Sequence, residues 1–341
     1  MRNFAYLEHP FPRKIFLLAP ALVLLSSFAD CAYGQEPTPP PTPLPSPTPI
    51  QVKVSEVNIG VTVIDAAGQS VTGLHPDDFR VFDNDVPQPV LAFLPDDDPG
   101  LVVLLLETGP SAFLNQGTEL HAASKFLDSL PANFRIALAL YSRAPSLLLD
   151  FTPDKATVRQ ALRSVNFMSG FLELNLVASV CATIDWLASL PGKKTIVLLS
   201  SGIDTSRNLN WPAVRQKIQA SDVRILAVSV SEEIRKPPKH LVLSREQRES
   251  LKFVKTNLAD ADRGLRQLAE PTGGRVYFPK SDEDFDHAFS EIATSISHEY
   301  RLSIAPSAPE DQLHALRVTV NRPFSTVAFR QGYLIPKPPP D

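Results

Sequence analysis

The chain has 341 residues, 43% hydrophobic and 21% charged, an ordinary globular balance with room for one large or two modest domains. With 37 acidic against 33 basic residues and a formal charge of −4, it carries no basic surface pattern interleaved with aromatics, which argues against a nucleic-acid partner. The 33 prolines are the anomaly, and they cluster.

Arg2, Arg13 and Lys14 make a basic start, followed by an apolar run from Ile15 to Phe28 that Pro20 interrupts and that is short for a bilayer span. Ala32-Tyr33-Gly34 puts small residues at −3 and −1, so residues 1–34 read as a secretory signal cleaved before Gln35. An uncleaved N-terminal anchor is the alternative. The expectation is an exported protein, periplasmic or extracellular, with no stable transmembrane segment once the signal is removed. Cys31 leaves with that signal, and Cys181, in the apolar helical stretch LVASVCATIDWL, reads as a buried structural thiol. Residues 35–50, which include EPTPPPTPLPSPTPI, are a proline-rich linker of extended polyproline character, either a semi-rigid spacer or a docking peptide.

Residues 51–97 alternate: Val52, Val54, Val57, Ile59, Val61 and Val63 fall largely on a period of two. A turn at residues 66–69, a helical turn before Phe79, a strand from Val81, a turn at Asn84-Asp85 and a strand from Val90 complete a small β unit. It is too short for a core of its own and is expected to borrow strands. From Leu101 the pattern changes. Continuously apolar strands at 101–107, 135–142, 195–200 and 223–230 alternate with helices at 118–130, 154–165, 176–190, 211–220 and 282–298, with an edge strand at 146–151. Strands apolar on both faces and alternating with helices predict a doubly wound, mostly parallel α/β sheet over residues 98–299. Residues 231–260 are polar and charged and read as a partly helical insertion. Residues 300–336 return to a period of two, and are expected to join residues 51–97 in a small antiparallel β-sandwich.

Ligands in such sheets sit beyond the carboxyl ends of the strands, which directs attention to Glu107-Thr108-Gly109-Pro110-Ser111 and Ser201-Gly202-Ile203-Asp204. The α/β body resembles a von Willebrand factor type A domain. The flanks VTVIDAAGQSVTGLHPDDFRVFDNDVPQPV and RQGYLIP, with that body between them, resemble the bacterial family of von Willebrand factor A-related Acidobacterial domains, from about Val57 to Pro336. The resemblance implies a possible metal-ion-dependent adhesion site: a first loop of the form Asp-x-Ser-x-Ser, a Thr from a middle loop and an Asp after a later strand, together holding Mg²⁺ through oxygen ligands. This chain departs from it. Glu107 stands for the Asp, Gly109 for the first Ser, Phe171 for the Thr and Ser201 for the later Asp, while Ser111 matches. One carboxylate and one hydroxyl hold Mg²⁺ poorly, so no cofactor is expected; were a metal bound, Glu107, Ser111 and Asp204 would be its ligands, with Glu173 a further carboxylate within reach of the middle loop. Glu107 has a plainer reading as a strand-end carboxylate bonded to loop N–H groups, and Phe171 reads either as loop core or as an exposed apolar contact.

Motifs for catalysis are missing from the sequence: no Gly-x-Ser-x-Gly, no His-Glu-x-x-His and no phosphate loop after the first strand, while the seven histidines are scattered. The expected function is that of a non-catalytic interaction module binding a protein partner through Glu107, Thr108, Ser111, Phe171, Glu173, Ser201 and Asp204. A metal-dependent adhesin and an envelope structural component are the alternatives.

Overall fold

The computed structural model describes residues 56–109, 116–167, 173–206, 209–235, 244–307 and 312–335. The signal at 1–34 and the linker at 35–50 lie outside the described residues, as do Ser111 and Phe171. Four strands open the described chain: β1 (Val57–Ile64), β2 (Phe79–Asp83), β3 (Val86–Gln88) and β4 (Ala92–Leu94). The α/β body follows as β5 (Gly100–Glu107), α1 (Gln116–Ser129), β6 (Arg135–Tyr141), β7 (Pro145–Thr152), α2 (Lys155–Arg163), α3 (Leu176–Ala188), β8 (Lys193–Ser200), α4 (Trp211–Ala220), β9 (Arg224–Ser229), α5 (Ser231–Arg235), α6 (Arg245–Ala269), β10 (Val276–Tyr277) and α7 (Asp282–Ser297). Four more strands close it: β11 (Glu299–Ile304), β12 (Leu313–Val320), β13 (Thr326–Phe329) and β14 (Gly332–Leu334).

The central sheet has the order β10-β9-β8-β5-β6-β7 and is parallel except for β7, which runs antiparallel at the edge. It is an α/β fold with a mixed sheet. The reason for the continuously apolar strands is visible in the packing. Val102, Leu104 and Leu106 of β5 enter one core with Phe126, Phe285 and Phe289, while Val103 and Leu105 enter another on the opposite face with Val180, Ile184 and Leu265. Period-two geometry sends successive side chains to opposite faces, and both faces are covered by helices. Asp154 caps α2 by accepting from the Ala156 N–H at 3.0 Å, which is where the sequence places that helix start.

Residues 231–260, expected as a partly helical polar insertion, hold α5 and the greater part of α6, which has 25 residues and ends at Ala269. Its buried positions Leu258, Ala261, Leu265 and Leu268 recur at three and four residues, a narrow apolar stripe that overall polarity conceals. Among the described residues no helix is long and apolar enough to cross a membrane.

The flanking strands form two antiparallel four-stranded sheets, β13-β1-β11-β4 and β14-β12-β2-β3, each mixing strands from before and after the α/β body. Their apolar residues share one core that includes Ile59, Val61, Phe79, Val81, Tyr300, Leu316 and Val318. Asn84 and Asp85 take positive φ, 48° and 64°, in the two-residue turn between β2 and β3, a conformation that Asn and Asp adopt at low cost.

Tyr300 is the hub of this core. Its ring lies 5.3 Å from that of Phe79 and 5.9 Å from that of Phe93, and its hydroxyl donates to the Val71 carbonyl at 2.9 Å and accepts from the Leu74 N–H at 3.1 Å. Removing that oxygen leaves a buried N–H unpartnered. Tyr300→Phe is therefore expected to lower stability by about 1–3 kcal/mol, read as a lower urea midpoint with an unchanged slope.

Candidate functional site

Register brings the polar strand ends together. In the parallel pairings Glu107 of β5 lies opposite Tyr141 of β6, and Leu106 lies opposite Leu199 of β8. Residues 103, 105 and 107, residues 137, 139 and 141, and residues 196, 198 and 200 alternate onto the same face. Glu107, Tyr141 and Ser200 thus meet at the carboxyl edge of the sheet, one on each of three adjacent strands.

Glu107 is 1% exposed and accepts through one oxygen, Oε2, from the Ser201 N–H at 2.8 Å, Ser201 Oγ at 2.8 Å, Tyr141 Oη at 3.1 Å and Ser200 Oγ at 3.2 Å. Tyr141 Oη and Ser200 Oγ are 2.6 Å apart, so these two hydroxyls distribute their protons between each other and the carboxylate. Ser200 Oγ accepts from the Gly202 N–H at 2.8 Å, and Ser201 Oγ from the Ile203 N–H at 3.2 Å. The other carboxylate oxygen, Oε1, is buried with no hydrogen-bond partner in the structure. Burial pushes the Glu107 carboxyl above its ordinary value, against the opposing effect of its hydrogen bonds with Ser201, Tyr141 and Ser200. Burial, reinforced by the charge of Glu107, pushes the Tyr141 phenol well up.

The loop residues beside this cluster are occupied in holding the loops. Thr108 is 7% exposed, and its N–H and hydroxyl both donate to the Tyr141 carbonyl, at 2.9 and 3.2 Å. Asp204 accepts from the Val177 N–H at 2.8 Å and from the Ser206 N–H at 2.7 Å. It caps the start of α3 from another loop, a place where Asn175 makes no side-chain cap bond of its own. Thr205 and Leu174 join the same two loops through a 2.7 Å backbone bond and a 2.9 Å bond from the Leu174 N–H to Thr205 Oγ1. Glu173 is exposed and pairs with Arg143 at 2.8 Å.

The expectation that Glu107, Thr108 and Ser201 offer side chains to a partner is corrected here: all three are buried, because their polar atoms face the strand ends rather than solvent. Asp204 is half-buried, and its carboxylate is engaged by backbone donors. Of the seven expected residues, Glu173 alone among those described is exposed. Tyr141 and Ser200, central to the cluster, were not singled out from sequence. The available signal was a polar residue ending each of two apolar strands with the parity of Glu107, but only register brings them to it.

The described donor set suits a divalent metal poorly. A Cβ on Gly109 would stand 2.5 Å from Leu174 Cδ2, so the buried Leu174 side chain fills the space that a hydroxyl-bearing residue at 109 would need. Glu107 is the carboxylate of the cluster, and Ser201 hydrogen-bonds to it rather than adding a second. Among the described residues no group of three or more His, Cys, Asp or Glu is placed to hold a metal ion. The described residues by themselves do not fit the group.

No protein-family model matches this chain, and no curated protein is similar to it in sequence. Solved structures resemble it at low identity. The conserved hypothetical protein BatB from Bacteroides thetaiotaomicron is 10% identical, with 58% of this chain and 98% of that one covered at a TM-score of 0.41. A von Willebrand factor type A protein from Catenulispora acidiphila is 10% identical, with 84% and 76% covered at 0.44. Proximal thread matrix protein 1 from the mussel byssus, solved with a zinc-occupied MIDAS motif, is 10% identical, with 62% and 48% covered at 0.42.

Two outcomes follow from the site geometry. Because the folded carboxyl of Glu107 titrates above its ordinary value of 4.5, its contribution is fully present below that value. It is lost as pH rises through the folded value, since the unfolded chain ionises first. The stability of the wild type relative to Glu107→Gln should therefore fall as pH rises above 4.5, measured by urea unfolding at a series of pH values. Asp204→Ala should cost about 1–2 kcal/mol in the same assay by exposing the first turn of α3, and Asp204→Asn less.

Proposed function

We propose that this chain is an exported, non-catalytic protein-interaction module: a von Willebrand factor type A-like body, with its flanks forming a β-sandwich, that binds a protein partner at the carboxyl-edge loop face without a metal. The observation that carries the metal-independent reading is the closed cluster at Glu107, whose Oε2 collects Tyr141, Ser200 and Ser201 while Leu174 fills the space over Gly109. A bridging metal needs ligand oxygens aimed at an open position, and Mg²⁺ tolerates little distortion. Here the carboxylate is aimed at neighbouring donors.

The non-catalytic reading is supported by the same geometry. Ser200 and Ser201, whose hydroxyls bond to the Glu107 carboxyl, are each 0% exposed, so a substrate has no access to them. Export is supported by the N-terminal charge and apolar pattern together with the small residues before Gln35. What the loop face offers a partner is its exposed rim, where the side chains of Arg143 and Glu173 are 78% and 60% exposed. The buried cluster beneath holds the loops that display them.

The test has two parts. Calorimetric titration with Mg²⁺ and Mn²⁺ at millimolar concentration should give no binding heat; heat that Glu107→Gln abolishes would favour a metal-dependent adhesin instead. Crosslinking in the native envelope should recover a partner whose retention falls in an Arg143→Glu, Glu173→Arg double variant. Retention equal to the wild type would remove the loop face from the interaction.

A further inference from the structure

At the amino edge of the central sheet, away from the loop face, lies a cavity of about 410 Å³ walled by apolar residues such as Val57, Ile184 and Leu334 and lined by Lys194, Arg301 and Arg330. Asp222 serves two of these cations. Its Oδ1 is 2.7 Å from Lys194 Nζ and its Oδ2 is 2.9 Å from Arg301 Nη2, with Asn58 Nδ2 at 3.4 Å. Arg330 has no such carboxylate: among the described residues its recorded contacts are a 2.7 Å bond from Nη1 to the Ser221 carbonyl and a position 5.5 Å over the Tyr333 ring. Its side chain belongs to a residue only 7% exposed, and its Nε is buried without a hydrogen-bond partner. Glu56, the other acid on the lining, is exposed.

A buried guanidinium with no carboxylate partner is costly unless an anion meets it. The carboxylate nearest in charge, Asp222, is already held by two other cations. Burial pulls the Arg330 guanidinium down to about 10, as expected for a cation short of a counter-charge. The cavity also falls within the roughly 300–1,000 Å³ typical of small-molecule sites, and its apolar walls suit a ligand with an apolar body. We propose that this cavity binds a small oxyanion, a carboxylate or a phosphate, with Arg330 as its principal donor and Lys194 and Arg301 completing the positive field. Such a site is separate from the loop-face interaction and does not depend on it.

Thermal unfolding of the purified chain in sodium phosphate and in sodium hexanoate, each against sodium chloride at the same ionic strength, tests the proposal. Tm should rise with at least one of the two anions, since a ligand that binds the folded state alone stabilises it. A rise with hexanoate alone identifies a carboxylate with an apolar body; a rise with phosphate alone identifies a phosphate group. Arg330→Met should weaken the response roughly tenfold or more in anion concentration, the value of a charge-assisted hydrogen bond. If that variant fails to fold, Arg330→Lys carries the test, because it keeps the charge but loses the planar fork. Identical melting in all three salts would overturn the proposal, and so would a full anion response in the folded Arg330 variant. A purely structural Arg330 would lower Tm equally in every salt.

Discussion

Left bare in the interior, the carboxylate of Glu107 would cost several kcal/mol. Donors from two neighbouring strand ends offset that cost at Oε2, and the carboxylate in turn holds the backbone of the loop after β8 through the Ser201 N–H. This exchange ties together three strands that are otherwise joined by apolar packing and ladder bonds. From there the order spreads outward. Gly202 takes φ of 77° and lies against the Ala261 backbone of α6, where a Cβ would stand 2.7 Å from a carbonyl oxygen. Asp204, two residues on, caps α3, and Thr205 binds the loop that leads into that helix. A short run of residues after β8 therefore fixes two helices and the middle loop at once.

The mounting of the α/β body on the flanking sheets follows a similar logic with opposite charge. Lys193, at the start of β8, is buried and donates to three carbonyls, those of Pro95 at 2.7 Å, Glu299 at 2.8 Å and Asp96 at 3.3 Å. Burial pulls its ammonium down, against the attraction of Glu299 and the nearby aspartates. Glu299, where the chain leaves α7 for β11, pairs with Arg224 of β9 at 2.8 Å and packs over Gly60, where a Cβ would meet Glu299 Oε1 at 2.7 Å. The polar joints thus lie where the chain enters and leaves the body, and the apolar cores lie to either side.

Much of this architecture is legible in the residues. β5, β8 and β9 announce themselves by unbroken apolar stretches, LVVLLL, IVLL and ILAV, which a sheet covered on both faces requires. The Asp154 cap and the Asn84-Asp85 turn follow from local chemistry that needs no tertiary knowledge. α6 was legible only as part of a partly helical insertion, because its apolar stripe is narrow and its other faces are charged. The site was legible only in part. Glu107 marks itself as an acid at the end of an apolar strand. Its partners Tyr141 and Ser200 depend on which residues stand opposite it, a property of the pairing between strands that no single segment contains. Leu174, which fills the space above Gly109, arrives from a loop more than sixty residues away.

The two edges of the central sheet differ in whether their charge is answered. Lys194 and Ser200 are six residues apart on β8, about 20 Å at roughly 3.3 Å per residue, and so mark opposite ends of one strand. At the carboxyl edge a single acidic group is surrounded by uncharged donors, and at Oε2 the available space is used. At the amino edge Lys194, Arg301 and Arg330 gather about one half-buried carboxylate, that of Asp222, and the guanidinium left over lines open volume. Hydrogen bonds from serine and tyrosine can hold a carboxylate in place at modest net cost. A guanidinium presents only donors, so neighbouring cations and a single carbonyl cannot balance it in the same way. The asymmetry is thus one of chemistry as much as of shape: among the described residues, Glu107 Oε2 is surrounded by donors of its own fold, while at the opposite edge Arg330 lines a cavity with no carboxylate paired to it.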